Sequence, residues 1–238
     1  MKFLDMFIED CKYYDPKNIE VKTILKYIKL KGKTVLDIGG GIGRLSFPLS
    51  KYAKEVIALD KDKRLREYFK KYKKKNVKFI NKKAEKFLKR GEKFDVILLA
   101  WPTFSFKFID LIKNTMNKDS RFIFITCDNN SDFETIVDRL KIVKKGYFDN
   151  DIKNKIKFMQ LLPKKFKLLT KKKIPTEYLY PNKKMALKVL KNDMKLFFNI
   201  KLNKKAEERL NKLINKHKYN YNNIRFGETI WFYILKLK

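Results

Sequence analysis

The chain has 238 residues, 44% of them hydrophobic, enough for one large domain or two small ones with a full core. It carries 59 lysines and arginines against 26 acidic residues, a formal charge of +33, and only two cysteines, Cys11 and Cys127. This excludes a disulfide framework and a CxxC metal pair, and the missing apolar runs of a membrane span or secretory signal point to a cytoplasmic protein with no membrane partner.

The first residues, 1–14, read as a short amphipathic helix ended by Asp15-Pro16. From Asn18 to Lys29 the apolar positions Ile19, Val21, Ile24, Leu25 and Ile28 keep a helical rhythm, which Lys31-Gly32-Lys33 stops. Strands and helices then alternate. Thr34–Ile38 is a buried strand, followed by glycines and a helix through Leu45, Leu49 and Tyr52. Val56–Asp60, Val77–Ile80, Phe94–Ala100 and Arg121–Cys127 are further strands, and Arg64–Lys74, Ala84–Arg90, Phe106–Met116 and Asp132–Val143 are helices. Such alternation implies right-handed crossover units and a parallel sheet covered on both faces.

From Gly146 the pattern changes. Phe166–Leu169 reads as a strand, Pro175–Pro181 as extended, Lys183–Phe198 and Lys204–Lys216 as helices, and Glu228–Leu237 as a final strand. Four segments are therefore expected: N-terminal helices over 1–30, an α/β core over 31–145, a helical cap over 146–225 inserted before the last strand, and that strand over 226–238.

The charge is unevenly spread, with 35 basic and 20 acidic residues in 1–150 and 24 and 6 in 151–238. A field of that size attracts polyanions such as RNA. However, 51 of the 59 basic residues are lysines, whereas bidentate recognition of phosphates and bases favours arginine. A compositional bias explains the charge equally, and both readings stay open.

Asp37-Ile38-Gly39-Gly40-Gly41-Ile42-Gly43 follows a strand and opens a helix, where glycines let the backbone turn tightly and approach a ligand. A dinucleotide fingerprint read from Gly39 would put Arg44 where its last glycine belongs, and the phosphate-loop pattern is absent. The run that is present, Asp-x-Gly-x-Gly-x-Gly, resembles motif I of class I S-adenosylmethionine-dependent methyltransferases. The likeness extends from about Leu30 to Asn129.

That resemblance implies a doubly wound, mostly parallel seven-stranded Rossmann-like sheet with a reversed final strand. It also implies S-adenosylmethionine as the cofactor. By it, Asp37 faces the donor's amino group, Gly39, Gly40, Gly41 and Gly43 line the loop, and Asp60, with Lys61 beside it, takes the ribose hydroxyls. Ala84 and Glu85 border the adenine, although Lys83 occupies a place that the family often gives to an acid. Ala100 and Trp101 border the methyl group and the acceptor. Tyr13, Tyr14, Glu177, Tyr178 and Tyr180 lie in segments that often fold over the acceptor, and Tyr14, Tyr178 and Tyr180 are the candidates chosen there with Trp101. Tyr178 and Tyr180 alternate with Leu179, so both rings point to one side. They wall a pocket, or they pack on the helices that carry Leu187, Leu190 and Met194.

Methyl transfer from a sulfonium is an in-line displacement and demands alignment and exclusion of water rather than a fixed catalytic residue. Ala100-Trp101-Pro102-Thr103-Phe104 stands where amino-group methyltransferases carry Asn/Asp-Pro-Pro-aromatic, and the oxygen that would accept an amine's hydrogens is missing. Thr126-Cys127-Asp128 is similar to the Thr-Cys-Ser of RNA 5-methylcytosine enzymes but lacks their Pro-Cys, so Cys127 reads as structural. His217, the one histidine, reads as an exposed or helix-capping side chain. No metal ligands are expected. The expected reaction is methyl transfer to a small-molecule acceptor, with RNA as the alternative. Remoter alternatives are an aminopropyltransferase, disfavoured by the charge and by the lack of aspartates after the fourth strand, and a non-catalytic protein of the same fold.

Overall fold

Strands buried on both faces read as near-continuous runs of apolar residues, and the central strands follow this apart from Asp37 and Asp95. The computed structural model, which describes residues 3–102, 109–128, 131–143 and 149–238, places β1 at Thr34–Ile38, β2 at Glu55–Asp60, β3 at Val77–Asn81, β4 at Phe94–Ala100 and β5 at Met116–Cys127. Val35 pairs with Val56 on one side and Val96 on the other, and β1–β2, β1–β4, β2–β3 and β4–β5 all run parallel. Asp95, the one charge in β4, accepts the Thr34 N–H at 2.7 Å and the Thr34 hydroxyl at 3.0 Å, so it pins the start of β1 to its neighbour.

The helices in chain order are α1 Phe3–Tyr13, α2 Ile19–Tyr27, α3 Ser46–Leu49, α4 Leu65–Lys71, α5 Ala84–Leu88, α6 Ile109–Lys113, α7 Asp132–Leu140, α8 Asp149–Lys165, α9 Lys183–Phe198 and α10 Lys204–Ile214. The remaining strands are β6 Lys167–Tyr180, β7 Lys218–Tyr219 and β8 Asn223–Lys236. All strands join one eight-stranded sheet in the order β3-β2-β1-β4-β5-β8-β6, with β7 paired antiparallel to β8. The path holds the seven expected strands, and the eighth is only the two-residue β7. The order reverses between β1 and β4, the switch point at which open α/β sheets receive ligands. Among the described residues, no helix is long and apolar enough to cross a membrane.

The chain divides into two compact units. One comprises Glu20–Thr126, Asn150–Lys173 and Trp231–Lys238. Its core joins Leu36, Ile57, Ile97 and Phe124 of the strands to Phe158, Leu162 and Phe166 of the α8 segment and to Tyr233 of β8. The Phe124 ring lies 5.1 Å from Phe158 and 5.8 Å from Tyr233.

The other unit comprises Met1–Ile19, Cys127–Asp149 and Ile174–Ile230. Three of its helices are capped by polar side chains. Ser131 and Glu134 form a reciprocal capping box on α7, Asn182 accepts from the Met185 N–H on α9, and Asn203 accepts from the Ala206 N–H on α10. Ile136, Val137 and Leu140 of α7 meet Leu190 and Met194 of α9 and Leu210 and Ile214 of α10.

The block expected over 146–225 therefore does not form one unit. α8 and the first half of β6 belong with the central strands, and only the later part groups with α1, α7, α9 and α10. The short strand and the extended segment expected around Pro175 are one 14-residue strand. Proline is tolerated there because β6 ends the strand order, where a missing N–H breaks no second ladder. The N-terminal part of the helix expected over Phe106–Met116 falls outside the described residues.

Candidate donor site

The unit built on β1 to β5 holds every residue expected at the donor. The glycine loop leaves β1 and leans on β2: the N–H groups of Gly39 and Gly40 donate to the Leu59 carbonyl at 2.8 and 3.2 Å. Gly39 is exposed with φ +73, and a Cβ built on it meets nothing within 4 Å, so open space lies above the turn. Gly43 has φ +79 and no such room, since a Cβ there would sit 2.6 Å from the Phe47 ring. The loop is thus a cradle on one side and tightly packed on the other.

Asp60 ends β2 with both carboxylate oxygens oriented by backbone amides. Oδ2 accepts the Gly41 N–H at 3.1 Å and Oδ1 accepts the Asp62 N–H at 2.9 Å. Each oxygen keeps a further lone pair, so the group can still accept two hydroxyls. Its own carbonyl takes the Asn81 amide at 3.0 Å and the Lys82 N–H at 3.0 Å, which ties the end of β2 to that of β3. Lys61 is exposed beside it, and Ala84 and Glu85 open α5 half-buried just beyond β3.

Asp37 is 3% exposed, and the Ser46 hydroxyl donates to its Oδ2 at 2.6 Å. Burial lifts its pKa from 3.8 to about 6; Ser46 and Arg44 pull it down, and the charges of Asp60 and Glu20 push it up. A buried carboxyl poised near neutrality suits a ligand ammonium, which would hold it ionised.

Ala100 and Trp101 end β4, half-buried. Trp101 has φ +52, a left-handed backbone uncommon for so bulky a residue, and its N–H donates to the Ile125 carbonyl at 2.9 Å. Its indole Nε1–H donates to Glu20 Oε1 at 2.8 Å, and Glu20 Oε2 lies 2.6 Å from Arg44 Nη1. Glu20 is 0% exposed. Sequence reasoning missed it because an isolated acid on an amphipathic helix reads as solvated, and its partners are distant in the chain.

The candidates at Tyr14, Tyr178 and Tyr180 lie in the other unit. Tyr180 is 1% exposed and packs with Ala186, Leu190 and Met194, which makes it a core residue of that unit. The Tyr178 ring lies 6.0 Å from it in a stacked arrangement, so the expected same-side alternation is present. Burial raises both phenols well above their usual pKa. Tyr14 bridges β-fashion to Tyr178, with ring centroids 4.9 Å apart, and shares a 3.2 Å hydrogen bond with Thr176. Glu177 takes Lys17 at 2.8 Å and Arg225 at 2.6 Å, and these cations hold its carboxyl below the usual range. His217 Nδ1 lies 3.4 Å from Asp132, against the Phe226 ring.

A glycine turn at the switch point of a doubly wound sheet, flanked by acids at the ends of β1 and β2, stands where open α/β sheets receive ligands. A family model described as a methyltransferase domain matches residues 29–231. The chain belongs to that family, the class I S-adenosylmethionine-dependent methyltransferases, and it is a methyl-transferring enzyme. No curated protein matches the sequence.

Solved structures share the fold at low identity. A candidate type II methyltransferase from Anaeromyxobacter dehalogenans is 16% identical with a TM-score of 0.65, over 91% of this chain and 94% of that one. A candidate methyltransferase from Bacillus halodurans is 13% identical with a TM-score of 0.54, over 91% and 98%. A precorrin-6y C5,15-methyltransferase from Geobacter metallireducens is 10% identical with a TM-score of 0.52, over 92% and 87%.

Proposed function

We propose that the protein binds S-adenosylmethionine on the glycine loop and transfers its methyl group to a small-molecule acceptor. The observation that carries the donor is the Asp60 carboxylate, oriented by two backbone amides beside the open face at Gly39. Asp60 takes the two ribose hydroxyls, and Asp37 takes the amino group, directly or through water. Gly39 and Gly41 pass under the methionine part, and Ala84 and Glu85 border the adenine. When bound, the donor would supply a sulfonium methyl group that an aligned nucleophile takes as the carbon–sulfur bond breaks and S-adenosylhomocysteine leaves as a neutral thioether. The chain's contribution is orientation and the exclusion of water.

For the acceptor, Ala100-Trp101-Pro102 supplies no side-chain oxygen to receive the hydrogens of a base amine. The Trp101 indole Nε1–H is already bonded to Glu20, so what it offers is an aromatic face. One structural neighbour is named as a methyltransferase of precorrin-6y, and we take this as in keeping with a small-molecule acceptor. A second reading, an RNA acceptor, is favoured by the nine lysines and no acid of residues 153–173.

Incubation with methyl-deuterated S-adenosylmethionine, a small-metabolite extract and total RNA separates the two. Label in the metabolite fraction, lost with Asp60→Ala, is the expected result. Label in nuclease-sensitive material establishes the RNA reading instead.

A further inference from the structure

We propose that Glu20 is a positioning residue of the donor site: one buried carboxylate holds Trp101, just past β4, and Arg44, just past the glycine loop, in fixed relation. This role rests on the donor assignment above.

β1 and β4 are parallel neighbours, with Ile38 opposite Leu99, so the segments that follow them emerge side by side. Glu20 comes from α2, and its two oxygens go to different segments, Oε1 to the Trp101 indole at 2.8 Å and Oε2 to the Arg44 guanidinium at 2.6 Å. Docking α2 does not call for a carboxylate, because Val21, Ile24 and Ile28 are already buried for that purpose. A fully buried carboxylate is retained at a high desolvation cost and persists only when both a charge and hydrogen bonds satisfy it. Here each partner belongs to a wall of the site. The left-handed backbone at Trp101 leaves the ring without the support of a regular strand, and the indole bond selects its orientation. The ion pair likewise keeps Arg44 on Glu20, although its charge also acts on Asp37.

The test uses the two tryptophans, Trp101 and Trp231. In a Trp231→Phe background the indole emission reports Trp101 alone. S-adenosylhomocysteine is titrated by calorimetry and by this emission, on the background protein and on Glu20→Gln and Glu20→Ala within it. The background is expected to bind, with an emission change that tracks the calorimetric curve. Glu20→Gln keeps an oxygen for the indole but loses the ion pair, and is expected to bind several-fold more weakly with the emission response retained. Glu20→Ala is expected to bind at least about tenfold more weakly, because Trp101 and Arg44 both lose their anchor, with the emission response abolished. Folding is checked by the thermal transition, and if Glu20→Ala does not fold, Glu20→Gln decides by its affinity alone, binding within twofold of the background overturning the positioning role. Binding within twofold and an unchanged emission response in a folded variant overturn the positioning role and leave the donor assignment standing. Failure of the background protein to bind S-adenosylhomocysteine overturns both.

Discussion

Asp37→Asn tests the electrostatics of the site and of the fold together. In the folded protein the Asp37 pKa is lifted from 3.8 to about 6, chiefly by burial. The folded state therefore holds this proton more tightly than the unfolded chain does. Below about pH 4 the group is protonated in both states and leaves stability unaffected. As pH rises from 4 to 6 the unfolded chain ionises first and stability falls, and above 6 the loss is constant. Two pKa units at 1.36 kcal/mol each make the ionised carboxylate a penalty of roughly 3 kcal/mol at neutral pH.

Asparagine imitates the protonated form and can still accept the Ser46 hydroxyl. Asp37→Asn should match the parent near pH 4 and exceed it by up to about 3 kcal/mol at pH 7.5, as measured by urea unfolding across that range. On the proposed donor site its affinity for S-adenosylmethionine should fall, because the charge assigned there to the ammonium is gone. Such an exchange of stability for function is expected where a buried charge serves a ligand. Equal stability of the two proteins at pH 7.5, or a difference that does not change with pH, would refute the reasoning.

Three further outcomes are expected. Asp60→Ala removes two hydrogen bonds to a charged group and should weaken S-adenosylmethionine binding by about 2–4 kcal/mol in calorimetry; binding within twofold of the parent removes Asp60 from the site. Tyr180→Ala should lower stability by about 3–5 kcal/mol in denaturant unfolding, the cost of truncating a buried aromatic, because its ring is core to the α9–α10 unit; a loss below about 1 kcal/mol contradicts that placement. Asp193 is buried beside Asp10, and desolvation first, then the Asp10 charge and hydrogen bond, raises its pKa well above the usual value. Its ionisation thus opposes folding increasingly as pH rises above 4, and Asp193→Asn should raise the melting temperature at pH 7.5 and leave it nearly unchanged at pH 4; a lower melting temperature at both would show the pair to be net stabilising.

Much of the central sheet was legible from periodicity alone. Thr34–Ile38 and Phe94–Ala100 are apolar runs interrupted only by Asp37 and Asp95 once past Thr34, and both strands lie where the sequence put them. The glycine turn and Asp60 were legible for a local reason as well: a turn that follows a strand and opens a helix needs glycines in sequence order, and the acid ending β2 is fixed by that strand's length. The α8 helix was not anticipated, because its lysines and Pro163 obscure a face that only the core defines, through Phe158 and Leu162. The fate of the tyrosines was not legible either. Alternation places Tyr178 and Tyr180 on one side of a strand, but whether that side meets solvent, a ligand or helices depends on what packs there, and α9 covers Tyr180. Glu20 is the clearest case. Local sequence determines that it sits on α2, whereas its burial and its two partners exist only once β1, β4 and α2 have come together. Short-range pattern determined the strands and the cradle, because both are matters of backbone geometry. Tertiary packing decided which charges are buried and what they hold, because desolvation is a property of everything around a side chain.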